Sequence, residues 1–371
     1  MEGLIGLTVL LALSLSFFVT ICLAHSKFIM TRKMFLDDPF GDKRRVHSNP
    51  VPRVGGLALW VSASLITFLT LLMPTVFLNS DWLLVFFIST LIFLIGLLED
   101  LKKTLSAYYR FIAISLCAVA VVASTDLAIT RLDIGLIDSM LVNSRWLSIA
   151  FSVIAVIGII NAVNISDGLN GLAAGLALQA LVGLGMLSLS DLSTDYQFFF
   201  ISLVSSVFGF WLVNCFTGRV FLGDAGAYFL GFWLAVFSIM ASETNSGVSP
   251  WAPAVINAHI IIETIFSMGR RAIRRNHFFQ ADFLHLHSLL LIYVSRRRAG
   301  DIGGILRRDH LVSTGIIVSS SSLLTFFAIV WRGDSESLPI IFWSYGLLYA
   351  GCYWYLTKSL KQLTRRNEDC S

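Results

Sequence analysis

The polar run at residues 161–172, Asn-Ala-Val-Asn-Ile-Ser-Asp-Gly-Leu-Asn-Gly-Leu, lies between two apolar segments and carries residue types suited to chemistry. Asn161, Asn164, Asp167 and Asn170 follow one another at three-residue intervals, so they share one face if the helix continues. The two glycines of the run predict that the helix bends or breaks here. Mg²⁺ prefers hard oxygen ligands and keeps several waters. A purely structural turn would not need four such groups, so the run predicts a loop that binds Mg²⁺ and a nucleotide base.

Carboxylates also occur at the ends of two other apolar segments. Glu99 and Asp100 end one of them, where the helix dipole disfavours anions, so we expect a compensating cation. Adjacent carboxylates leave a helix end in different directions, so one can meet a metal while the other handles a proton. Asp224 begins another segment between two glycines, Gly223 and Gly226, which let backbone amides approach a ligand. A solvated cap for the pair and an N-cap for Asp224 are the structural alternatives.

Basic residues and histidines accompany these acids. Arg53 lies in the run Pro-Val-Pro-Arg-Val-Gly-Gly, downstream of three basic residues at 43–45, and is suited to grip a phosphate. The alternative is a helix-entry turn with snorkelling basic side chains. His285 and His287 have no third ligand at zinc spacing, so phosphate contact is favoured over zinc in this arginine-containing loop. Glu263 lies within an apolar segment and is a functional candidate on that ground.

The elements that must position these residues are membrane helices. The chain has 371 residues, of which 56% are hydrophobic and 13% charged, whereas soluble proteins carry roughly 25% charged residues. A chain this apolar is an all-α polytopic membrane protein, because lipid offers no partners for unpaired backbone groups. We predict one domain, 1–371, with about eleven spans of about 20 residues each. They lie at 3–24, 54–77, 82–98, 110–129, 146–163, 172–190, 196–216, 225–242, 250–268, 311–331 and 338–357.

The distribution of positive charge predicts the orientation of these spans. All but three of the 27 basic residues fall in loops on one alternate side, and the exceptions are Arg131, Arg145 and Arg332. The positive-inside rule puts that side in the cytoplasm, with the N-terminus outside and the C-terminus cytoplasmic. Acidic residues contribute little to topology, so carboxylates clustered on this same side need another explanation. The predicted partner of the apolar surface is the lipid bilayer, and nothing in the pattern predicts binding to nucleic acid.

Taken together, these motifs resemble the polyprenyl-phosphate N-acetylhexosamine-1-phosphate transferase superfamily, glycosyltransferase family 4. The resemblance covers about residues 43–290, and its most specific parts are the run at 161–172 and the run Gly-Arg-Val-Phe-Leu-Gly-Asp-Ala-Gly at 218–226. It implies transfer of a sugar-1-phosphate from a UDP-sugar to undecaprenyl phosphate, with release of UMP, in the EC 2.7.8 class. It also implies Mg²⁺ as cofactor, with Mn²⁺ as a substitute. Dimers occur in this superfamily, so a homodimer is compatible with the resemblance.

The resemblance also implies roles for the candidate residues. The catalytic group comprises Asp100, Glu99 and Asp167, and the metal ligands are Asn164 and Asp224. Because the lipid phosphate is already mostly ionised, Asp100 is expected to position it more than to deprotonate it. The residues expected to contact the nucleotide or the phosphates are Arg53, Asn161, Asn170, Asn214, Arg219, His285 and His287. The site is expected to face the cytoplasm from a bacterial inner membrane. Residues 311–371 add two spans and a basic tail.

The chain departs from the family pattern at three positions. Glu99 stands where many members have Asp, Asn170 replaces an Asp common in the peptidoglycan enzyme, and Ser288 stands where some members have a third His. These departures favour the branch that initiates O-antigen, common-antigen or capsule-like polysaccharides. The sugar is then expected to be GlcNAc, GalNAc, QuiNAc or FucNAc.

The sequence leaves two other hypotheses about function open. A transporter or flippase for an anionic or lipid-linked solute would place ionisable residues near mid-bilayer and often shows repeated halves, whereas these clusters lie at segment ends. A non-catalytic member of the same fold is suggested by Glu99 and Asn170. Restoring Asp at both positions tests it, because a large rise in turnover from near zero would favour that reading.

Overall fold

The computed structural model describes residues 2–37, 51–72, 80–102, 106–125, 127–273, 284–299 and 304–368. The predicted basic residues at 43–45 and the segment 274–283 before the histidines lie outside this part. The helices of the described part are α1 (Glu2–His25), α2 (Lys27–Met30), α3 (Gly55–Leu71), α4 (Ser80–Lys102), α5 (Ala107–Ser124), α6 (Gly135–Asn143), α7 (Arg145–Ser166), α8 (Leu172–Ser188), α9 (Thr194–Thr217), α10 (Gly223–Glu243), α11 (Trp251–Ile256), α12 (Ala258–Ile273), α13 (Leu286–Ala299), α14 (Arg307–Val330) and α15 (Ser337–Glu368).

By length and composition, eight of the described helices are long and apolar enough to cross a membrane, and α3 contains a shorter apolar stretch, Gly55–Leu69. The protein is therefore an all-α polytopic membrane protein, as predicted. Each of the eleven predicted segments overlaps a helix, but the ninth is divided at Asn257 into the short α11 and the 16-residue α12. The count of eleven spans and the orientation of the termini stay predictions.

Helix α10 forms the centre of the molecule. It packs against α3, α4, α7 and α8, and nearly all of its side chains are buried. The aromatic ring of Trp233 on α10 contacts Phe199 of α9, with ring centroids 4.2 Å apart, and Phe237 at 5.4 Å. Helix α1 packs on α3 and α9 at one side of this core, and α14 packs on α8 and α11 at another. The central position of α10 means that its N-terminus lies among the ends of several neighbouring helices.

The N-terminal turn of α10 approaches α3 and α4 backbone to backbone. A Cβ atom added at Gly96 of α4 would lie 2.6 Å from the Cα of Ala225, and one added at Gly56 of α3 would collide with the backbone of Gly226. Small residues at such contacts let membrane helices come close enough for backbone packing. Glycines on all three helices therefore set the distance between α10 and its two neighbours.

A short antiparallel pair of strands lies beside this region, joining β1 (Leu36–Asp37) to β2 (Val51–Pro52). In its register, Leu36 lies opposite Pro52 and Asp37 opposite Val51. The backbone of Phe221 donates to Pro52 O at 2.8 Å, and its carbonyl accepts from Gly55 N at 2.9 Å. The strand pair is thus fixed to the loop that leads into α10.

Gly96→Ala is expected to destabilise the protein by about 1–3 kcal/mol, because the added methyl group overpacks the contact between α4 and Ala225. Gly158→Ala on α7 is the matched control, since nothing lies within 4 Å of its added Cβ. Thermal unfolding in detergent should give a lower midpoint for Gly96→Ala alone. Equal midpoints for the two variants would show that the close approach does not constrain the fold.

Candidate active site

The first three backbone amides of α10 bind two carboxylates from neighbouring elements. Gly223 N donates to Asp167 Oδ2 at 3.3 Å, Asp224 N to Asp100 Oδ1 at 3.0 Å, and Ala225 N to Asp100 Oδ2 at 2.9 Å. These amides have no partner within their own helix, and the helix dipole favours anions here. Gly223 has φ +76°, and a Cβ on it would lie 2.6 Å from Asp100 Oδ2, so the turn requires glycine.

Asp224 is held by two arginines and an asparagine from three other elements. Arg53 Nη2 lies 3.0 Å from Oδ1, and Arg110 Nη1 lies 2.7 Å from Oδ2. Asn164 Nδ2 donates to Oδ1 at 3.0 Å. Arg110 also donates to the hydroxyl of Tyr228, one turn further along α10, at 3.3 Å. Asp224 is buried, and both of its carboxylate oxygens face cations or an amide.

The strand pair and α4 complete this cluster. Arg53 follows β2, and its backbone N–H donates to Phe35 O at 2.9 Å. Its Nε lies 3.7 Å from Asp100 Oδ1, so one guanidinium contacts the carboxylates of both α4 and α10. Glu99 Oε1 lies 3.7 Å from Arg110 Nη1. The two predicted catalytic carboxylates therefore point in different directions. Asp100 faces the start of α10, whereas Glu99 faces Arg110.

Helix α7 ends at Ser166 and brings Asn164 and Asp167 to the cluster, as the three-residue spacing predicts. Asn161 turns instead to its own helix, where its Nδ2 donates to Ile157 O at 2.9 Å. Asn214 is buried and links two loops: its Oδ1 accepts from Gly171 N at 2.7 Å, and its Nδ2 donates to Val220 O at 2.6 Å. Both halves of the Asn214 amide are occupied by the backbone, so in this arrangement it braces the turn.

Asn170 and Arg219 are not brought to Asp224 by any contact of the described residues. Asn170 is 9% exposed, its backbone N–H lies 3.4 Å from His310 Nδ1, and its carbonyl accepts from Thr314 at 2.9 Å. Arg219 is exposed, and its Nη1 lies 2.7 Å from His25 Nε2 at the end of α1. Their expected roles at the nucleotide or phosphates stay predictions.

His285 and His287 lie beside the turn that carries Asp167. Their rings are parallel, with centroids 5.2 Å apart. His285 Nδ1 lies 3.1 Å from Glu263 Oε1, and His287 points its Nε2 edge at Gly168. The predicted histidines therefore lie at the start of α13, and His287 reaches the turn that follows Asp167.

Asp167 is half-buried, and this burial raises the pKa of its carboxyl group from 3.8 to about 6. The charge of Arg53 and the hydrogen bond from Gly223 N oppose the rise in this pKa, as does the charge of nearby His287. The negative charge of Asp224 adds to it. Asp167 is thus a carboxylate close to proton exchange in the weakly acidic range.

Arg110 and Tyr228 are site residues that the sequence reasoning missed. Arg110 counted only toward topology, yet it contacts Asp224, Glu99 and Tyr228. A signal for it existed, because a cation in the first turn of an apolar helix is disfavoured by the helix dipole and by the membrane. Tyr228 carried no such signal, since an aromatic residue in an apolar helix ordinarily packs in the core.

The oxygen donors of this cluster suit a hard cation that takes only part of its shell from protein. Among the described residues, no group of three or more His, Cys, Asp or Glu is arranged to hold a metal ion unaided. Mg²⁺ is commonly bound by one or two carboxylates together with substrate phosphates and water. Asp224, with the side-chain oxygen of Asn164 and with Asp167 nearby, meets that lesser requirement.

Comparison with known proteins identifies relatives of this chain. Residues 82–242 match the family described as Glycosyl transferase family 4. A probable undecaprenyl-phosphate N-acetylglucosaminyl 1-phosphate transferase of Bacillus subtilis is 27% identical over 83% of this chain and 80% of its own. The undecaprenyl-phosphate alpha-N-acetylglucosaminyl 1-phosphate transferase of Thermotoga maritima is 28% identical over 87% and 97%. The decaprenyl-phosphate N-acetylglucosaminephosphotransferase of Mycobacterium leprae is 28% identical over 81% and 82%.

Asp167→Asn is expected to stabilise the metal-free protein at neutral pH. Folding raises the pKa of Asp167 from 3.8 to about 6, so its contribution to stability is complete below 3.8 and is lost as the pH rises through about 6. The amide oxygen can still accept from Gly223 N without carrying the buried charge.

Unfolding midpoints with a chelator present should therefore be higher for Asp167→Asn than for the wild type at neutral pH, and the difference should shrink toward pH 3.8. The exposed Asp191→Asn serves as the control. A difference that does not change with pH would contradict the assignment of a raised pKa to Asp167.

Proposed function

Because the chain belongs to the polyprenyl-phosphate N-acetylhexosamine-1-phosphate transferase superfamily, we propose that it transfers a sugar-1-phosphate from a UDP-N-acetyl sugar to undecaprenyl phosphate. An oxygen of the lipid phosphate attacks the phosphorus that carries the sugar. The bond from that phosphorus to the bridging oxygen breaks, and UMP leaves. The observation that carries this proposal is the cluster of Arg53, Arg110 and Asn164 around Asp224 at the start of α10.

The chemistry to be supplied is mostly positioning and neutralisation of phosphate charge. Mg²⁺, or Mn²⁺ in its place, would neutralise charge on the diphosphate when bound by Asp224 and Asn164. Arg53 and Arg110, which also contact Asp100 and Glu99, would then be the cations available to the phosphate oxygens, which bind guanidinium groups well. The charges that balance Asp224 in the absence of substrate thus become the charges that bind the diphosphate.

Asp100 has a positioning role in this proposal. Both of its oxygens accept amides of α10, and Arg53 lies against one of them, so Asp100 holds Asp224 and Arg53 in register. Asp167 lies on the other side of Gly223 and faces the substrates from the turn after α7. Glu99 orients Arg110. We prefer direct attack by the lipid phosphate to a covalent enzyme intermediate.

The location of the site suits both substrates. Asp100 lies at the end of α4, Asp167 follows the end of α7, and Asp224 lies at the start of α10, all on the side of the predicted basic loops. We propose that this side faces the cytoplasm of a bacterium, so that the UDP-sugar arrives from the cytosol and undecaprenyl phosphate from the plane of the inner membrane.

The named relatives suggest the first donor to test. They are transferases of N-acetylglucosamine phosphate, so UDP-GlcNAc comes first, followed by the UDP derivatives of GalNAc, QuiNAc and FucNAc. The departures at Glu99, Asn170 and Ser288 support a role in starting O-antigen or a related lipopolysaccharide or cell-envelope polymer. They are also the first positions to exchange if the donor proves unusual.

UMP release by purified protein tests the proposed reaction. The reaction mixture contains undecaprenyl phosphate, Mg²⁺ and one UDP-N-acetyl sugar at a time, with chelator and no-lipid controls. Release should require the lipid, the metal and a particular sugar. Folded protein that releases no UMP with any of these sugars would contradict the proposal.

Asp224→Asn is expected to abolish metal-dependent UMP release and to remove the rise in unfolding midpoint that Mg²⁺ and the UDP-sugar give together. The fold should survive, because the amide can still contact Arg53 and Asn164. The control is Asp191→Asn, an exposed carboxylate on the loop after α8. Activity close to that of the wild type would exclude Asp224 from the site.

Arg110→Ala is expected to lower the rate of UMP release by about 100-fold or more, the usual loss when one preorganised donor is removed from a developing charge. Arg145→Ala is the matched control, since Arg145 also lies in the first turn of an apolar helix but contacts the carbonyl of Ala123 and not Asp224. Initial rates at saturating lipid and donor make the comparison. If the two variants lose activity equally, the contact between Arg110 and Asp224 has no special role in turnover.

A further inference from the structure

Glu263 of α12 is a fully buried carboxylate that the proposed reaction does not use. Its exposed fraction is 0%, and its Oε1 accepts from the backbone N–H of Leu286 at 3.0 Å. His285 Nδ1 lies 3.1 Å from the same oxygen. A carboxylate removed from water is costly unless cations or hydrogen-bond donors surround it. Its position therefore needs an explanation beyond packing.

Three imidazoles surround this carboxylate. Besides His285 at Oε1, His259 Nε2 and His287 Nδ1 each lie 3.7 Å from Oε2. His259 is fixed on its other side by the hydroxyl of Tyr345, 2.8 Å from its Nδ1. All three histidine side chains are buried, so their ring orientations are set by these contacts and not by solvent.

His287 connects Glu263 to the candidate active site. Its Nδ1 faces Glu263, while its Nε2 faces Gly168 so closely that a Cβ on that residue would collide with it. The charge of His287 also acts on Asp167, the residue before Gly168. The ring of His285 lies parallel to that of His287 and is itself held by Glu263 and Ser267. Glu263, His287 and the turn that bears Asp167 therefore lie next to one another in that order.

We propose that Glu263 is a positioning residue that, with His285, fixes the ring of His287 so that its Nε2 faces the diphosphate end of the site. This inference rests on the proposed transferase function. A carboxylate at one ring nitrogen of a histidine sets the tautomer and orientation of the other nitrogen, as it does for metal-bound histidines.

The two histidines that we predict to contact phosphates make different contacts in the structure. The Nδ1 atom of His285 contacts both Glu263 and Ser267, and these contacts hold the ring that stacks on His287. His287 has the Nε2 edge that reaches the Asp167 turn. Glu263 also accepts a hydrogen bond from Leu286 N, the first residue of α13. The same carboxylate therefore positions the start of this helix and the rings of His285 and His287.

A double-mutant cycle tests whether Glu263 acts through His287. The four proteins are the wild type, Glu263→Gln, His287→Ala and the double variant, assayed for UMP release with UDP-GlcNAc, undecaprenyl phosphate and Mg²⁺. Each single change should lower kcat/KM by about 10- to 100-fold, the range for residues that orient a site group. The double variant should be no slower than the slower single variant, within about twofold, since two residues acting as one unit are not additive. Losses that multiply would overturn the proposal.

Asp195→Asn provides the matched control, because Asp195 is also a buried carboxylate, on α9, and contacts none of these histidines among the described residues. Its effect should multiply with that of His287→Ala. If Glu263→Gln does not fold, as judged by size exclusion in detergent, Glu263→Asp goes through the same cycle, since it keeps the charge but withdraws it from the rings. A multiplicative result there overturns the proposal equally.

Unfolding midpoints of the same four proteins give a second reading that needs no turnover. The shifts from Glu263→Gln and His287→Ala should be non-additive, because each change removes the same contact. Additive shifts would overturn the proposal whatever the enzyme does. A wild type that shows non-additive shifts among its variants but releases no UMP would instead contradict the proposed reaction while keeping the Glu263–His287 contact.

Discussion

Three consecutive backbone amides at the start of α10 are the interaction on which the candidate site depends. Gly223 donates to Asp167, while Asp224 and Ala225 donate to Asp100. These bonds join the ends of α4, α7 and α10 at one point, and they are strong because an anion meets unpaired amides at the positive end of a helix. The glycine contacts of α3 and α4 with the same turn make the approach sterically feasible. The geometry of Asp224 follows from this junction.

The junction also explains why so many charges collect in an apolar protein. Two carboxylates held by amides and a third on the same turn would repel one another without cations, and Arg53 and Arg110 reduce that repulsion. Such a cluster is stable without substrate, yet it consists of the groups that a diphosphate and a divalent cation require. In the proposed reaction the arginines exchange partners on binding, so the protein already holds cations for the diphosphate at the membrane edge before substrate arrives.

The sequence predicted the helical membrane class and the contributions of Asn164, Asp167 and Asp224, because three-residue spacing and segment ends are local properties. It could not predict that both oxygens of Asp100 face α10, since that depends on how closely α4 packs against it. Arg110 was missed because only the tertiary fold brings α5 to Asp224. Asn214 was expected at the nucleotide, but loop backbones occupy its amide, a competition that no sequence pattern reveals.

Electron paramagnetic resonance of bound Mn²⁺ tests the central claim that Asp224 is the centre of a joint metal and diphosphate site. Purified protein would be titrated with Mn²⁺ with and without UDP-GlcNAc, in the absence of lipid so that no turnover occurs. We expect a site that binds Mn²⁺ much more tightly when the UDP-sugar is present, with phosphorus coupling in the spectrum, and that is lost in Asp224→Asn. Mn²⁺ binding that is indifferent to the UDP-sugar, or unchanged in Asp224→Asn, would contradict it.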